Sequence, residues 1–94
     1  EELDITVEEL TSEAINSLGI DSKTSGILVK EVGDKNENLL NNDVIIQVSS
    51  EKIKDISSFQ SIIANSIKLN RDKLLLRVIR DGNEFWLINP FVIE

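Results

Sequence analysis

The chain has 94 residues, 40% of them hydrophobic and 29% charged, a formal charge of −7, and neither cysteine nor histidine. A chain of this size and mix supports one domain with one modest core and is not the composition of a disordered protein. The missing residue types exclude disulfides, thiolate–zinc sites and Ser-His-Asp or Cys-His catalysis, and an acidic balance with scattered Lys and Arg argues against a nucleic-acid partner.

No run of 18 apolar residues occurs, so no membrane contact is expected, and a chain that begins at Glu1 instead of Met reads as a fragment of a longer protein. Leu3, Ile5 and Val7 alternate with Asp4, Thr6 and Glu8, the period of a half-buried strand, which is predicted over residues 3–9. Thr11 is placed to cap a short helix with Glu13 in its first turn; Ala14, Ile15 and Leu18 supply its apolar contacts, and Gly19 ends it.

Two short runs, Ile27-Leu28-Val29 and Val44-Ile45-Ile46, read as buried strands over residues 26–32 and 43–49. The polar segment 33–38 between them reads as a mobile turn, and Leu39-Leu40 is expected to tuck under the sheet. Residues 50–52 turn the chain, with Ile53 as a brief continuation of strand.

The next helix carries the clearest signal. Ser57 and Gln60 fit a capping box, and Phe59, Ile62, Ile63 and Ile67 form one apolar face over residues 58–68. Residues 74–79 form a third buried strand, Asp81-Gly82 suits a two-residue hairpin turn that needs positive φ at both positions, and residues 84–88 return antiparallel. Pro90 marks weakening of the ladder, and Phe91-Val92-Ile93 reads as an edge continuation or the start of a linker.

Catalytic constellations are absent from the pattern. Glu8 and Glu9, as neighbours on a strand, point to opposite faces and do not converge on one substrate. Asp34, Asn36 and Asn38 alternate like the early ligands of a calcium loop, but the glycine and the distal Glu that complete such a loop are missing. Ser57 and Ser58 have no base and read as helix caps, and no metal or cofactor is expected. Trp86 reads either as packing against the sheet or as partly exposed at an interface. Glu1, Glu2, Asp4, Glu8, Glu9 and Glu13 all precede the first base, Lys23, which reads as a solvated acidic face or as a site for basic partners.

The functional feature is a groove. If the strand over residues 3–9 lies at a sheet edge beside the longer helix, its unpaired amides and carbonyls accept an extended peptide as an added strand; the alternative is a packed edge.

In this order the elements resemble a PDZ domain of the bacterial HtrA/Deg (DegP/DegQ-like) serine proteases. Leu3-Asp4-Ile5-Thr6 resembles the carboxylate-binding loop, and Leu10-Thr11 through Leu18-Gly19-Ile20 the short helix after it. Ser25-Gly26-Ile27-Leu28-Val29 is similar to the family's Gly-apolar-Val-apolar strand, and Leu40-Asn41-Asn42-Asp43-Val44-Ile45 to its Gly-Leu-x-x-Gly-Asp-apolar-Ile motif. Ser49 to Ile53 resembles its Asn-Gly-x-x-Val turn, and Ile56 to Ile63 its groove helix.

The resemblance implies an α+β fold: a PDZ-like, partly open β-barrel or sandwich of five to six strands, with one short and one longer helix, filling residues 1–94. It implies a non-catalytic module binding peptides or unfolded-protein segments, or contacting neighbouring domains of a parent protease in the periplasm or cell envelope. The alternative parent is a secretion apparatus or an intramembrane, site-2-type protease. Amides around Leu3, Asp4 and Ile5 would hold a terminal carboxylate, Ile5, Thr6 and Val7 would pair with the peptide main chain, and Ile56, Gln60 and Ile63 would face the groove, leaving Phe59 and Ile62 to the core. The chain departs from the family at Asp4 and Asn42, which replace glycines, and in lacking the Ser-Pro-Ala segment after Gly33. A carboxylate at position 4 implies repulsion of a bound carboxylate on the order of 1 kcal/mol. The expectation is therefore weakened carboxylate capture and an assembly role, as implied for second PDZ domains of that family.

Overall fold

The computed structural model describes residues 3–90. Its elements, in order, are β1 (Ile5–Glu9), α1 (Ser12–Leu18), β2 (Ile27–Val32), β3 (Val44–Val48), β4 (Glu51–Lys52), α2 (Ile56–Lys68), β5 (Lys73–Arg80) and β6 (Asn83–Pro90). The fold is α+β, with two helices and six strands in one antiparallel sheet of order β1-β2-β3-β5-β6. The sheet is open: among the described residues β1 and β6 are its two edges, and β4 pairs only with β3.

β3 serves two partners on one margin, pairing with β2 through Val44 and Ile45 and with β4 through Gln47 and Val48. The register against β5 shifts between Ile45 and Gln47, so Ile46 is the extra residue of a bulge where the partner changes. A second shift between Thr6 and Val7 leaves Lys30 of β2 unpaired against β1. Such bulges bend a strand and raise its twist, and they curve the sheet around the apolar cluster.

That cluster joins Ile27 and Val29 of β2, Ile45 of β3, Leu76 and Val78 of β5, and Phe59 and Ile63 of α2. Ile53, expected as a strand residue, follows β4, bonds through its amide to the Ile46 carbonyl at 3.0 Å and is fully buried. Of the pair Leu39-Leu40 only Leu39 tucks under the sheet; Leu40 is exposed because its amide is drawn to Asp43 and its side chain is turned outward. Ile62 is half-buried against the cluster, whereas Ile67 is exposed.

The α1 boundaries follow the sequence signals: Thr11 Oγ1 accepts from the Ala14 amide at 3.1 Å, and Gly19 closes the helix at φ 67°. The α2 cap differs. Asp55 is the capping residue, its carboxylate accepting from the Ser58 amide at 2.8 Å while Ser58 Oγ accepts from the Asp55 amide at 3.2 Å. The box is Asp-x-x-Ser and starts the helix two residues before the Ser57–Gln60 reading, because a carboxylate at the first free amides outcompetes a hydroxyl two residues later. Asp81 and Gly82 both have positive φ, 53° and 80°, as the hairpin between β5 and β6 requires.

The loop at 33–38 is tied at both ends of the sheet, which replaces the mobile turn read from its composition. Asn36 donates from Nδ2 to the Leu3 carbonyl at 2.7 Å and accepts at Oδ1 from the amides of Asn38 and Leu39, and Asn38 Nδ2 reaches the Ile88 carbonyl at 2.9 Å. Phe91-Val92-Ile93, read as an edge continuation or linker, and Glu1-Glu2 of the acidic end lie outside the described residues. No helix among the described residues is long and apolar enough to cross a membrane.

Candidate functional site

The outer margin of β1 faces α2 across a cleft of about 690 Å³. The strand side is formed by Leu3, Ile5, Thr6 and Val7, and the helix side by Ile56, Phe59, Gln60, Ile63, Ala64 and Ile67. Among the described residues no charged side chain lies in that lining. The helical positions fall at i, i+3, i+4, i+7, i+8 and i+11, one stripe along α2, so the cleft runs along most of the helix. Pocket hydrophobicity and a strand edge unpaired among the described residues meet here because the period-two face of β1 and the 3.6-period face of α2 are both too apolar to be left in water, yet no backbone–backbone hydrogen bond joins the two elements.

One contact sets their relative direction. The Ile56 amide, at the start of α2, donates to Glu9 Oε1 at the end of β1, 3.3 Å away. The helix therefore runs back alongside the strand, and its later residues, Ile63, Ala64 and Ile67, lie towards the Leu3 end.

At that end the chain turns through Leu3 and Asp4. Asp4 has φ 53°, the left-handed conformation that glycine adopts freely and that Asp tolerates better than most residues. Its carbonyl accepts from the Gly33 amide at 2.8 Å, and the Leu3 carbonyl accepts from Asn36, so both carbonyls of the turn are engaged from behind. Neither the Leu3 nor the Asp4 amide donates to an acceptor among the described residues. A left-handed residue brings successive amides to one side, the arrangement of a backbone nest that receives anions.

The Asp4 carboxylate is not part of this arrangement. Oδ2 accepts from the Lys35 amide at 2.9 Å, and the side chain packs so closely on Gly33 that a Cβ there would collide with it. It borders a shallow polar hollow with Glu31 and Asn41, outside the cleft. Asn42, the other residue standing in place of a family glycine, likewise has positive φ, 74°. Both departures thus keep the backbone shape that glycine would supply.

Of the residues singled out in the sequence, Leu3, Ile5, Thr6, Val7, Ile56, Gln60 and Ile63 surround one cleft, and only the side chain of Asp4 is turned away. Phe59 belongs to the buried cluster and also floors the cleft. Ala64 and Ile67 were not assigned to the groove. Their signal lay in the helix period: both continue the Ile56–Gln60–Ile63 stripe by one turn. No group of three or more acidic, His or Cys residues able to hold a metal occurs among the described residues. Trp86 is partly exposed on the hairpin, its ring 5.0 Å from the Arg77 guanidinium carbon.

No family model matches the sequence, and no curated protein matches it. Solved structures do. The HtrA3 PDZ domain, crystallised with the phage-derived ligand FGRWV, superimposes with a TM-score of 0.74 at 21% identity, over 96% of this chain and 83% of that one. A sheet that is open among the described residues, with β1 at its edge, a short and a long helix, and a cleft between β1 and α2 give this chain a PDZ-like fold.

Proposed function

We propose that this protein is a non-catalytic peptide-recognition module that takes an extended peptide as an added strand on β1. The observation that carries the reading is the outer margin of β1, unpaired among the described residues, facing an apolar cleft along α2, with the Leu3 and Asp4 amides meeting no acceptor among those residues. The peptide main chain pairs with Ile5–Val7, alternate side chains enter the cleft, and the terminal carboxylate meets the turn amides. The Asp4 carboxylate is drawn to the Lys35 amide and turned away from the cleft, which supports retained capture of a terminal carboxylate in this reading. The parent in this reading is an envelope-located serine endopeptidase of the HtrA/Deg type, with substrate segments or neighbouring domains as partners, supported by the likeness to the HtrA3 domain.

Titration with FGRWV and with the same pentapeptide amidated at its carboxyl end tests the proposal. The free acid is expected to bind at least about tenfold more tightly, since a charge-assisted hydrogen bond contributes about 1.5–3 kcal/mol. Saturable binding of neither peptide overturns it in favour of an assembly role inside the parent protein.

A further inference from the structure

Glu9 is an acidic side chain fixed beside the Ile56 end of the cleft. It sits at the end of β1 farthest from the carboxylate turn, exposed, with Oε1 held 3.3 Å from the Ile56 amide. Of the other acids on the sheet or beside it, Glu8 pairs with Lys30 at 3.8 Å, Asp43 with Arg80 at 2.7 Å and Glu84 with Arg77, and Glu31 borders the polar hollow outside the cleft. Glu9 enters no ion pair among the described residues, and the cleft lining between it and Leu3 carries no charge.

We propose that the cleft selects peptides bearing Lys or Arg four residues before their carboxyl terminus, read by Glu9. The inference rests on strand addition at β1 and adds a ligand class to it. A strand added antiparallel to β1 with its last residue opposite Ile5 places the residue two before it opposite Val7 and the residue four before it opposite Glu9. Directly opposed residues share a face, and Ile5, Val7 and Glu9 alternate onto the face that looks at α2. The first two positions therefore meet apolar wall, and the third meets a carboxylate.

The start of α2 would by itself attract an anion to this place through its free amides. That attraction is already satisfied, by Glu9 on the Ile56 amide and by Asp55 on the Ser58 amide. What remains presented to a peptide is negative, and the chain as a whole, at −7, steers cations towards it.

Fluorescence anisotropy with labelled heptapeptides tests this. The peptides end in a free aliphatic residue, are neutral elsewhere, and carry Lys, Ala or Glu four residues before the end. Lys is expected to bind about fivefold more tightly than Glu, with Ala between, and about 0.5 M salt is expected to flatten the series. Glu9→Gln keeps an acceptor for the Ile56 amide and is expected to bring the three within about twofold; Glu9→Lys is expected to reverse the order, a result that a merely structural role would not give. Tight binding with a flat series, or an order unchanged in Glu9→Lys, overturns the role of Glu9 and leaves strand addition standing. Binding of none of the three peptides overturns both.

Discussion

Arg80 holds the buried carboxylate of Asp43 with two donors: Nε lies 2.9 Å from Oδ1 and Nη2 lies 2.7 Å from Oδ2. Nη2 also reaches the Asn38 carbonyl at 3.0 Å, and Oδ2 also accepts from the Leu40 amide at 2.9 Å. One guanidinium on β5 thus fixes the loop that precedes β3, and through Asn36 that loop supports the Leu3 carbonyl behind the cleft turn. Arg80→Ala leaves the almost wholly buried Asp43 carboxyl with only the Leu40 amide as a partner among the described residues, and is expected to lower stability by about 2–3 kcal/mol in urea denaturation. Arg80→Lys supplies one donor in place of a fork and is expected to lose about half as much.

The same pair fixes a pH expectation. The hydrogen bond to Asp43 raises the Arg80 pKa above its ordinary value, burial opposes that shift, and the charges of Asp43 and Asp81 add to it. A group whose folded pKa is raised contributes stability that is complete below its unfolded pKa and is lost only as pH rises through the folded one. For an arginine both lie far into alkali, so the Arg80→Ala deficit is expected to stay constant, in parallel denaturation curves, from neutral pH to about pH 10.

Gly26 is required by contact with the neighbouring strand. A Cβ there would run into the Ile45 carbonyl oxygen and lie 3.2 Å from Ile46 Cγ2, at the point where β3 exchanges β2 for β4. The obstacle is backbone held in a ladder, which yields less readily than a side chain. Gly26→Ala is expected to destabilise by about 2–3 kcal/mol, whereas Gly82→Ala meets no atom and answers only to its positive φ, costing about 1 kcal/mol.

Much of this architecture was legible because it is local. The runs at Ile27-Leu28-Val29 and Val44-Ile45-Ile46, the Asp81-Gly82 hairpin and the Thr11 and Gly19 caps each carry their signal within a few residues. The stripe Ile56–Gln60–Ile63 and the alternation Leu3–Ile5–Val7 were enough to bring seven chosen residues around one cleft. What stayed hidden depends on partners distant in sequence. Nothing around Asp43 announces Arg80, 37 residues away, and nothing around Asn36 announces the Leu3 carbonyl, 33 residues away. The direction of the Asp4 carboxylate was illegible for the same reason, since the Lys35 amide that holds it belongs to the loop after β2, 31 residues on. Asp55 was missed because Ser57 and Gln60 offered the more familiar spelling of the same cap.

Asp4 combines a left-handed backbone with an acceptor for the Lys35 amide, and the two roles separate by substitution. Asp4→Asn retains a short polar side chain that tolerates positive φ and can still accept, so thermal stability is expected to change by less than about 0.5 kcal/mol. Asp4→Ala loses both features and is expected to cost about 1–2 kcal/mol, discounted from a buried loss because the hydrogen bond is exposed. Asp4→Gly restores the backbone freedom but not the acceptor, and should fall between them.

Ala64 offers the cleanest separation of the cleft from the core. It is exposed, lines the cleft on α2, and stands one turn beyond Gln60, whereas its neighbour Ile63 belongs to the buried cluster. Truncating Ile63 would report on packing as much as on binding, at about 2–4 kcal/mol of stability. Ala64→Trp instead builds into the cleft from an exposed position outside the buried cluster. Unfolding free energy is expected to stay within about 0.5 kcal/mol of the parent chain, Ala to Trp being a modest loss of helix propensity at an exposed site. Binding of a free-acid peptide such as FGRWV is expected to weaken by at least about tenfold in the same preparation. Undiminished binding would place the peptide elsewhere on the molecule, because an indole in the middle of the cleft leaves no path along β1 for alternate side chains to enter.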